Sequence, residues 1–447
     1  MPIPHNRALE VARRLTRGRA MAELKKQLEP IAEEVRPIPP SVPGLRDSSA
    51  AAAAERLCFA EDRAGPLPYL SGRAESPDPA TLQGNIENYI GMTRVPTGLV
   101  GPLRINGLHA NGDFYIPLAT TEGALVASYS RGARLVTLSG GAACLTTVEQ
   151  VQRAPGFKFE TMGEAVQFAS WAVGEFEQMR EVASRKTRYG RLLEVRVQLQ
   201  ANLVYLILDY HTGDAAGQNM VTICTAAVCE YLMARTPVEP TYWVLESNMS
   251  GDKKATALSF FETRGRHTTA EVVVPRVLVE ERLRTTPERI ADFWRMGFVG
   301  AVQTGSIGVN GHVANAVTAL FLACGQDVAC VAESSVALLR MEVTDAGDLY
   351  ASLTLPSLIV GSVGGGTRLT TAAECLRILG CDGEGGGAKL AEITVALALA
   401  GEISLAGAMC SGEFARAHAE LGRPNGQGNG VGAAGGRGTR ESPDGHG

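Results

Sequence analysis

No two of the nine cysteines stand as C-x-x-C. Cys324/Cys330 and Cys375/Cys381 have neither zinc-site spacing nor the pattern of a disulfide framework, so no metal site is expected and a reducing compartment is the simple reading. No window holds the roughly 18 uncharged apolar residues needed to span a bilayer. The opening "MPIPHNRALEVARRLTRGRA" lacks the apolar stretch of a secretory signal. Excess positive charge is missing too: 42 Lys and Arg against 47 Asp and Glu leave a formal charge of −5. A nucleic-acid binder calls for a basic surface against phosphate, so that class is excluded. What remains is ordinary for a globular enzyme. The chain has 447 residues, 45% of them hydrophobic and 20% charged, enough for two or three domains.

Residues 1–86 read as an N-terminal helical segment ("AMAELKKQLEPIAEEV"). A Pro- and Ala-rich connector runs from "RPIPPSVPG" to "SSAAAAAERL", with irregular chain after it. This segment is expected to pack on the outside of a domain, or on a partner subunit, rather than to carry chemistry. From Glu87 the texture changes to glycine-punctuated motifs. "RLLEVRVQLQANLVYLILDYHTG" alternates and is rich in β-branched residues, which predicts one or two strands ending in a turn. "NAVTALFLACG" and "KLAEITVALALAGEISLAGAM" suit buried helices. The Gly-rich tail, residues 423–447, cannot bury enough surface to offset its backbone entropy and is expected to be disordered. His446, like His5, is therefore a poor catalytic candidate.

Four segments hold residues suited to chemistry. In "PLATTEGALVASYSRGARL", Glu122 follows two threonines and precedes a helix, where a lone glutamate is more often a cap than a catalyst. "ESNMSGDKKATA" sets Asp252 beside Lys253 and Lys254, by default a solvated turn. In "ACGQDVA", Asp327 comes directly after an apolar helix, where burying a carboxylate is costly without a partner. The fourth is a pair of glycine-rich pieces, "GDAAGQNMVT" (213–222) and "GSVGGGTRLT" (361–370). Backbone amides there can approach a flat ring or a phosphate, although neither piece matches G-x-G-x-x-G or G-x-x-x-x-G-K-[ST] and flexible loops are the plainer reading. The basic run Arg180, Arg185, Lys186, Arg188, Arg191 and Arg196 is either a solvated helix face or a seat for nucleotide phosphates.

Together these pieces resemble the 3-hydroxy-3-methylglutaryl-CoA reductases. "ENYIGMTRVPTGLVGPL", "LATTEGALVAS", "GDAAGQNM", "GDKKATA", "HVANAVTALFLACGQD", "GSVGGGT" and "LAGEISLAGA" occur in that family's order, from about Glu87 to Arg423. The resemblance implies an α+β fold. A large domain around a long central helix would take residues 87–155 and 246–422, and an inserted small α+β (ferredoxin-like) nucleotide-binding domain would take residues 156–245. It also implies a cytoplasmic enzyme without the membrane anchor of the animal forms. The expected assembly is a homodimer or higher homo-oligomer with active sites at the subunit interface. The implied reaction is the two-step, NADPH-dependent reduction of an acyl-CoA thioester, (S)-3-hydroxy-3-methylglutaryl-CoA, to mevalonate, for isoprenoid precursor supply.

Carried over residue by residue, the resemblance makes Lys253 the cation beside the carbonyl oxygen and Glu122 the acid that delivers a proton to it. Asp327 links the two, and burial with a neighbouring carboxylate is expected to raise the Glu122 pKa. Arg153 would hold the substrate's free carboxylate, with Asp252, Lys254 and Asn315 as further acyl contacts. Ser128, Arg131, Arg134 and His312 would meet CoA. Thr187 and Arg188 would sit at the ribose and 2′-phosphate, where Thr replaces the family's usual Ser. Asp214, Gly217, Asn219, Met220, Val363, Gly364 and Gly365 would line the nicotinamide end.

Three departures stand out. The family's terminal run resembling "GHLVRAH", whose histidine protonates the CoA thiolate, reads "GEFARAH" here, with Glu413 at the first histidine and His418 at the second. In a continuous helix these two side chains would point about 140° apart. Either is a candidate acid, or the step is lost and the reaction slowed. Glu246 stands where a serine is frequent, so repulsion of a carboxylate substrate is expected unless Ser247 takes the role. "VACVAESS" lacks a polar Gln-Asn pair, which is expected to loosen the network around Asp327. NAD-dependent mevalonate oxidation and a diverged acyl-CoA-binding protein are the competing readings.

Overall fold

The computed structural model of the protein describes residues 5–16, 19–45, 47–75 and 77–413. Three helices open the chain: α1 (His5–Thr16), α2 (Met21–Leu28) and α3 (Ala50–Ala64). The alanine run read as connector is helix α3, because alanine has the highest helix propensity and the Ser49 hydroxyl accepts from the Ala52 N–H as an N-cap. Between α2 and α3 the chain forms a strap over the body. Arg104 donates to the carbonyls of Arg36 and Pro37, 2.8 Å each, and the Tyr115 hydroxyl donates to Pro40.

The body starts with the hairpin β1 (Thr97–Gly107) and β2 (Asn111–Ala119), then α4 (Leu125–Leu138) and the long strand β3 (Ala142–Arg153). A smaller lobe follows: β4 (Gly156–Lys158), α5 (Met162–Gly174), α6 (Phe176–Ser184), β5 (Arg191–Gln200), β6 (Leu203–His211), α7 (Gln218–Met233) and β7 (Tyr242–Val244). Its strands lie in the order β7-β4-β6-β5 with every neighbouring pair antiparallel, the split strand–helix–strand arrangement. The alternating stretch predicted as one or two strands is the hairpin β5–β6, which turns at Ala201 with φ 53°. The chain returns through β8 (Gly265–Val274), α8 (Arg276–Leu278), α9 (Pro287–Thr304), α10 (Val313–Ala323), α11 (Val331–Ser334), β9 (Leu338–Val343), β10 (Leu349–Leu358), α12 (Thr370–Ile378) and α13 (Gly386–Ser411).

Buried side chains form two clusters, one spread from Val100 to Ala406 and one built of Val151 and residues between Phe157 and Leu232. Strand β3 belongs to both. Its residues 143–150 pair with β8, whereas Val151–Arg153 pair with β6 of the smaller lobe. Arg153 therefore stands at the seam.

Helix α13 is the axis of the large cluster. By length and composition it could cross a bilayer, yet 83% of its apolar window is buried inside the protein. Two buried carboxylates interrupt its apolar surface, and each accepts two backbone amides. Glu392 takes those of His109 (2.8 Å) and Ala110 (2.7 Å), and Glu402 those of Gly311 (2.6 Å) and His312 (2.7 Å). Burial pushes the Glu402 carboxyl up, while His312 and the amides around it pull the other way. At its start, Asp214 from the smaller lobe's edge accepts the amides of Gly385 (2.9 Å) and Gly387 (3.0 Å). Helix α4 crosses α13 with no room to spare. A Cβ on Gly132 would overlap the Ala400 carbonyl, and one on Gly401 would overlap the Tyr129 ring.

Gly132→Ala should lower stability by at least about 2 kcal/mol, since backbone cannot yield as a side chain can; chemical denaturation measures it. A second expectation concerns acid. Burial holds the His267 imidazole down at about 4 from its ordinary 6.5, so it stays neutral while the unfolded chain takes up a proton. That contribution is complete above pH 6.5 and is lost as the pH falls towards 4. His267→Gln should flatten the fall of melting temperature across that window.

Candidate active site

Lys253 lies in the loop after β7 with φ +61°, a left-handed backbone that non-glycine residues adopt at a cost. Its ammonium is 3.1 Å from Asp327 Oδ2, and their side chains are 45% and 38% exposed. This hydrogen bond raises the Lys253 pKa against the opposing effect of burial, so the side chain is a cation at neutral pH. The other Asp327 oxygen accepts the Ala329 amide at 3.0 Å. Asp327 is thus held but not buried, contrary to the expectation for a carboxylate behind an apolar helix.

Buried charges hold the strained loop from below. Glu333 accepts the Lys253 amide (3.2 Å) and grips Arg264 Nη1 with both oxygens (2.6 and 2.7 Å). Arg264 reaches Asp252 at 2.5 Å, and Asp252 also takes Arg153 at 2.8 Å. Burial raises the Asp252 pKa, but Arg264, Arg153 and Lys253 outweigh it and leave the carboxyl below its usual value. Burial likewise pushes Glu333 up, opposed by Arg264. Glu246 does not stand free to repel a substrate: Arg153 lies 3.4 Å away, and its oxygens accept from Ala154, Asn248 and Ser250. Ser247 is not spare either, since its hydroxyl donates to the Ala154 carbonyl at 2.7 Å. Arg153 is buried between two carboxylates. Lys254 folds back onto the Asp252 carbonyl (2.8 Å). Glu333, from the run that lacks the Gln-Asn pair, accepts the amide of the lysine that Asp327 faces.

The two glycine-rich pieces meet. A β-bridge joins Ala215 to Val363, and the Ser362 amide donates to the Asp214 carbonyl at 2.9 Å. Gln326 clamps the second piece by donating to the Gly361 carbonyl (2.9 Å) and accepting its amide (2.8 Å). The next residue is Asp327, so the glycine ledge and the Lys253–Asp327 pair share one support. The Asp214 carboxylate is committed to capping α13. Gly217, φ +81°, opens α7, and a Cβ there would overlap Thr212. Gly364 and Gly365 have open space where a Cβ would stand, Val363 is half exposed, and Asn219 is exposed. In the turn before β5, the Thr187 hydroxyl accepts the Gly190 amide (2.9 Å) and touches the Met220 sulfur (3.2 Å). Arg188 is exposed. The rest of the basic run is partly committed: Arg180 and Arg185 pair with Glu177 and Glu181, and Arg196 pairs with Asp209 and Glu262.

Glu122 is elsewhere. It is exposed, and Asn315 in the first turn of α10 donates to it at 3.4 Å. Asp327 follows the opposite end of α10, about 12 Å of helix away from Asn315. No hydrogen bond or ion pair joins Glu122 to Lys253 or Asp327 among the described residues, so one chain does not bring the expected trio together. Within this chain Glu122 is exposed rather than enclosed. Glu122 instead borders a cavity of about 690 Å³, lined by Ser128, Arg131, Arg134, Arg282, Arg284, His312 and Asn315 among others. Strap residues Ser41, Val42 and Leu45 form part of its wall. Ser128 and Arg131 both reach Ser404 on α13 (3.0 Å each), and Arg134 lies 3.4 Å from the Pro39 carbonyl. The buried Tyr129 hydroxyl is 3.1 Å from His312 Nδ1.

Helix α13 ends at Ser411 with Gly412, φ +74°, as its left-handed cap. Glu413 therefore stands beyond the helix. His418 lies outside the described residues, as does the tail 423–447. Glu413 accepts from Arg284 at 2.8 Å and lies 3.5 Å from Arg131. The carboxylate thus sits between two guanidinium groups.

A family model described as hydroxymethylglutaryl-coenzyme A reductase matches residues 53–423. The chain belongs to that family. A relative named 3-hydroxy-3-methylglutaryl-coenzyme A reductase from Aeropyrum pernix is 46% identical over 345 residues, 76% of this chain and 82% of the relative. One of the same name from Haloferax volcanii is 43% identical over 383 residues, 84% of this chain and 94% of the relative. In fold, the class II 3-hydroxy-3-methylglutaryl-CoA reductase from Streptococcus pneumoniae bound to NADPH in open conformations aligns with a TM-score of 0.66. That alignment covers 83% of this chain and 100% of that chain at 18% identity, a likeness of fold alone.

Within this reductase family chain, reading the sequence missed Arg264, Glu333, Gln326 and Glu402, all polar supports rather than reacting groups. Gln326 and Glu333 flank Asp327 in "GQDVACVAE", so adjacency was a usable signal; nothing local marks Arg264. Glu333→Ala would leave Arg264 buried with one carboxylate fewer and should lower stability by about 3–5 kcal/mol, measured by denaturant titration.

Proposed function

We propose that the chain catalyses the NADPH-dependent reduction of (S)-3-hydroxy-3-methylglutaryl-CoA to mevalonate and free CoA. The observation that carries this reading is the Lys253–Asp327 pair, 3.1 Å apart, with Asp327 next in the chain to Gln326, which clamps the glycine ledge. The carbonyl carbon takes two hydrides; the carbon–sulfur bond breaks between the two additions, one proton going to the released sulfur and the other to the alcohol oxygen. Each addition places negative charge on oxygen, and the Lys253 ammonium is the fixed charge that stabilises it. Asp327 keeps that lysine cationic and aimed, and Glu122 delivers the proton to the same oxygen. Protonation of the departing thiolate falls to Glu413, His418 or solvent.

The arginine-lined cavity takes CoA, with Ser128, Arg131, Arg134 and His312 at its wall; its volume suits a ligand of that size. The smaller lobe, residues 156–245, seats the nucleotide between Thr187–Arg188 and the glycine ledge. The residues fit it: Arg188 is exposed for a 2′-phosphate, and Gly364 and Gly365 leave open space for a flat ring. Bound NADPH supplies the hydride. Because Glu122 and Lys253 flank opposite ends of α10, a second copy completes the site, Glu122 and Asn315 of one meeting Lys253 and Asp327 of the other. The exposed apolar side chains Ile90, Phe261, Val328 and Val363 support such an interface.

Following NADPH absorbance with the proposed substrate, two nucleotides should be consumed per thiol released. One per thiol would mean arrest at the aldehyde, and faster turnover with NADH would reverse the cofactor assignment. Lys253→Ala should cut kcat by about 100-fold or more.

A further inference from the structure

The cavity beside α4 holds four guanidinium groups, from Arg131, Arg134, Arg282 and Arg284. Glu413 faces them, with Arg284 Nη1 at 2.8 Å from one oxygen and Arg131 Nη1 at 3.5 Å from the other. Arg131 does not need that carboxylate for its orientation. Ser404 already fixes it, accepting Nε at 3.0 Å on its hydroxyl and Nη2 at 2.7 Å on its carbonyl. The Arg284 side chain is 70% exposed and that of Glu413 is 23% exposed. Because the arginine of this pair is solvent-facing, the contact is weak and easily exchanged. Glu413 also follows Gly412, so a small rotation past the helix cap moves its side chain without disturbing α13.

We propose that Glu413 is an internal competitor for the phosphate end of the acyl-CoA. In the free enzyme its single negative charge occupies Arg131 and Arg284. A phosphate brings more charge and three oxygens, takes the same guanidinium groups, and displaces the carboxylate. Glu413 thereby sets affinity for phosphate-bearing thioesters and product CoA without contacting the acyl group. This rests on the reading of the cavity as the CoA seat.

Calorimetric titration of the full chain tests it, with CoA, 3′-dephospho-CoA and pantetheine as ligands for the wild type and Glu413→Gln. The variant should bind CoA about 3–10-fold more tightly at low salt, with the gain shrinking as salt rises, and pantetheine should bind both proteins alike. In an Arg284→Ala background the gain should largely vanish. Unchanged or weaker CoA binding by Glu413→Gln would overturn the proposal and make the carboxylate a brace for the arginines. An equal gain for pantetheine would overturn it as well, since phosphate would not be the rival. If neither protein binds CoA while both melt as folded chains, the cavity is not the CoA seat, and the two readings fall together.

Discussion

The crossing of α4 over α13 is the constraint from which the rest follows. Where Gly132 faces Ala400 and Gly401 faces Tyr129, the two backbones approach as closely as atoms allow. That approach brings Ser128 and Arg131 to Ser404, and places Tyr129 beneath His312. It also turns α13 into a post to which distant loops are tied by carboxylates. Glu392 holds the β1–β2 turn, Glu402 the start of α10, and Asp214 the N-terminus of α13 itself. A carboxylate inside a core is costly to bury alone and is stabilised by the backbone amides it accepts. Each tie is therefore both a constraint on position and a reason for the helix to carry acids at all.

The same logic operates beneath Lys253. A left-handed lysine persists only if its surroundings hold it, and here Glu333 takes its amide while Arg264 binds Glu333 and Asp252 together. Buried ion pairs of this type contribute little net stability against an apolar replacement, but they fix geometry. The gain is an ammonium presented at a set place with Asp327 beside it. Both groups remain partly exposed to solvent.

Helix α10 divides the chemistry. Its first turn carries Asn315 towards Glu122 and the arginine-lined cavity, and the residues after its end carry Gln326 and Asp327 towards the glycine ledge and Lys253. A single helix thus separates two clusters of polar residues within one chain. Glu413, beyond the end of α13, pairs with arginines of the first cluster.

Much of the architecture was legible in the residues. The alternating β5–β6 stretch, the apolar α10 and α13, and the ordered motifs of a reductase are local patterns with periods that physics imposes. Candidate groups such as Lys253, Asp327 and Glu122 were legible as motif members. Helix α3 was misread because alanine was taken as filler rather than as the strongest helix former. The sequence by itself determined which segments form buried helices and strands, and which residue types are available for acid, cation and phosphate contacts. Only the tertiary structure decided which charges neutralise one another, that Glu246 and Glu413 face arginines, and that Glu122 stands apart from Lys253. Those outcomes depend on contacts between residues far apart in the chain, and no local period records them.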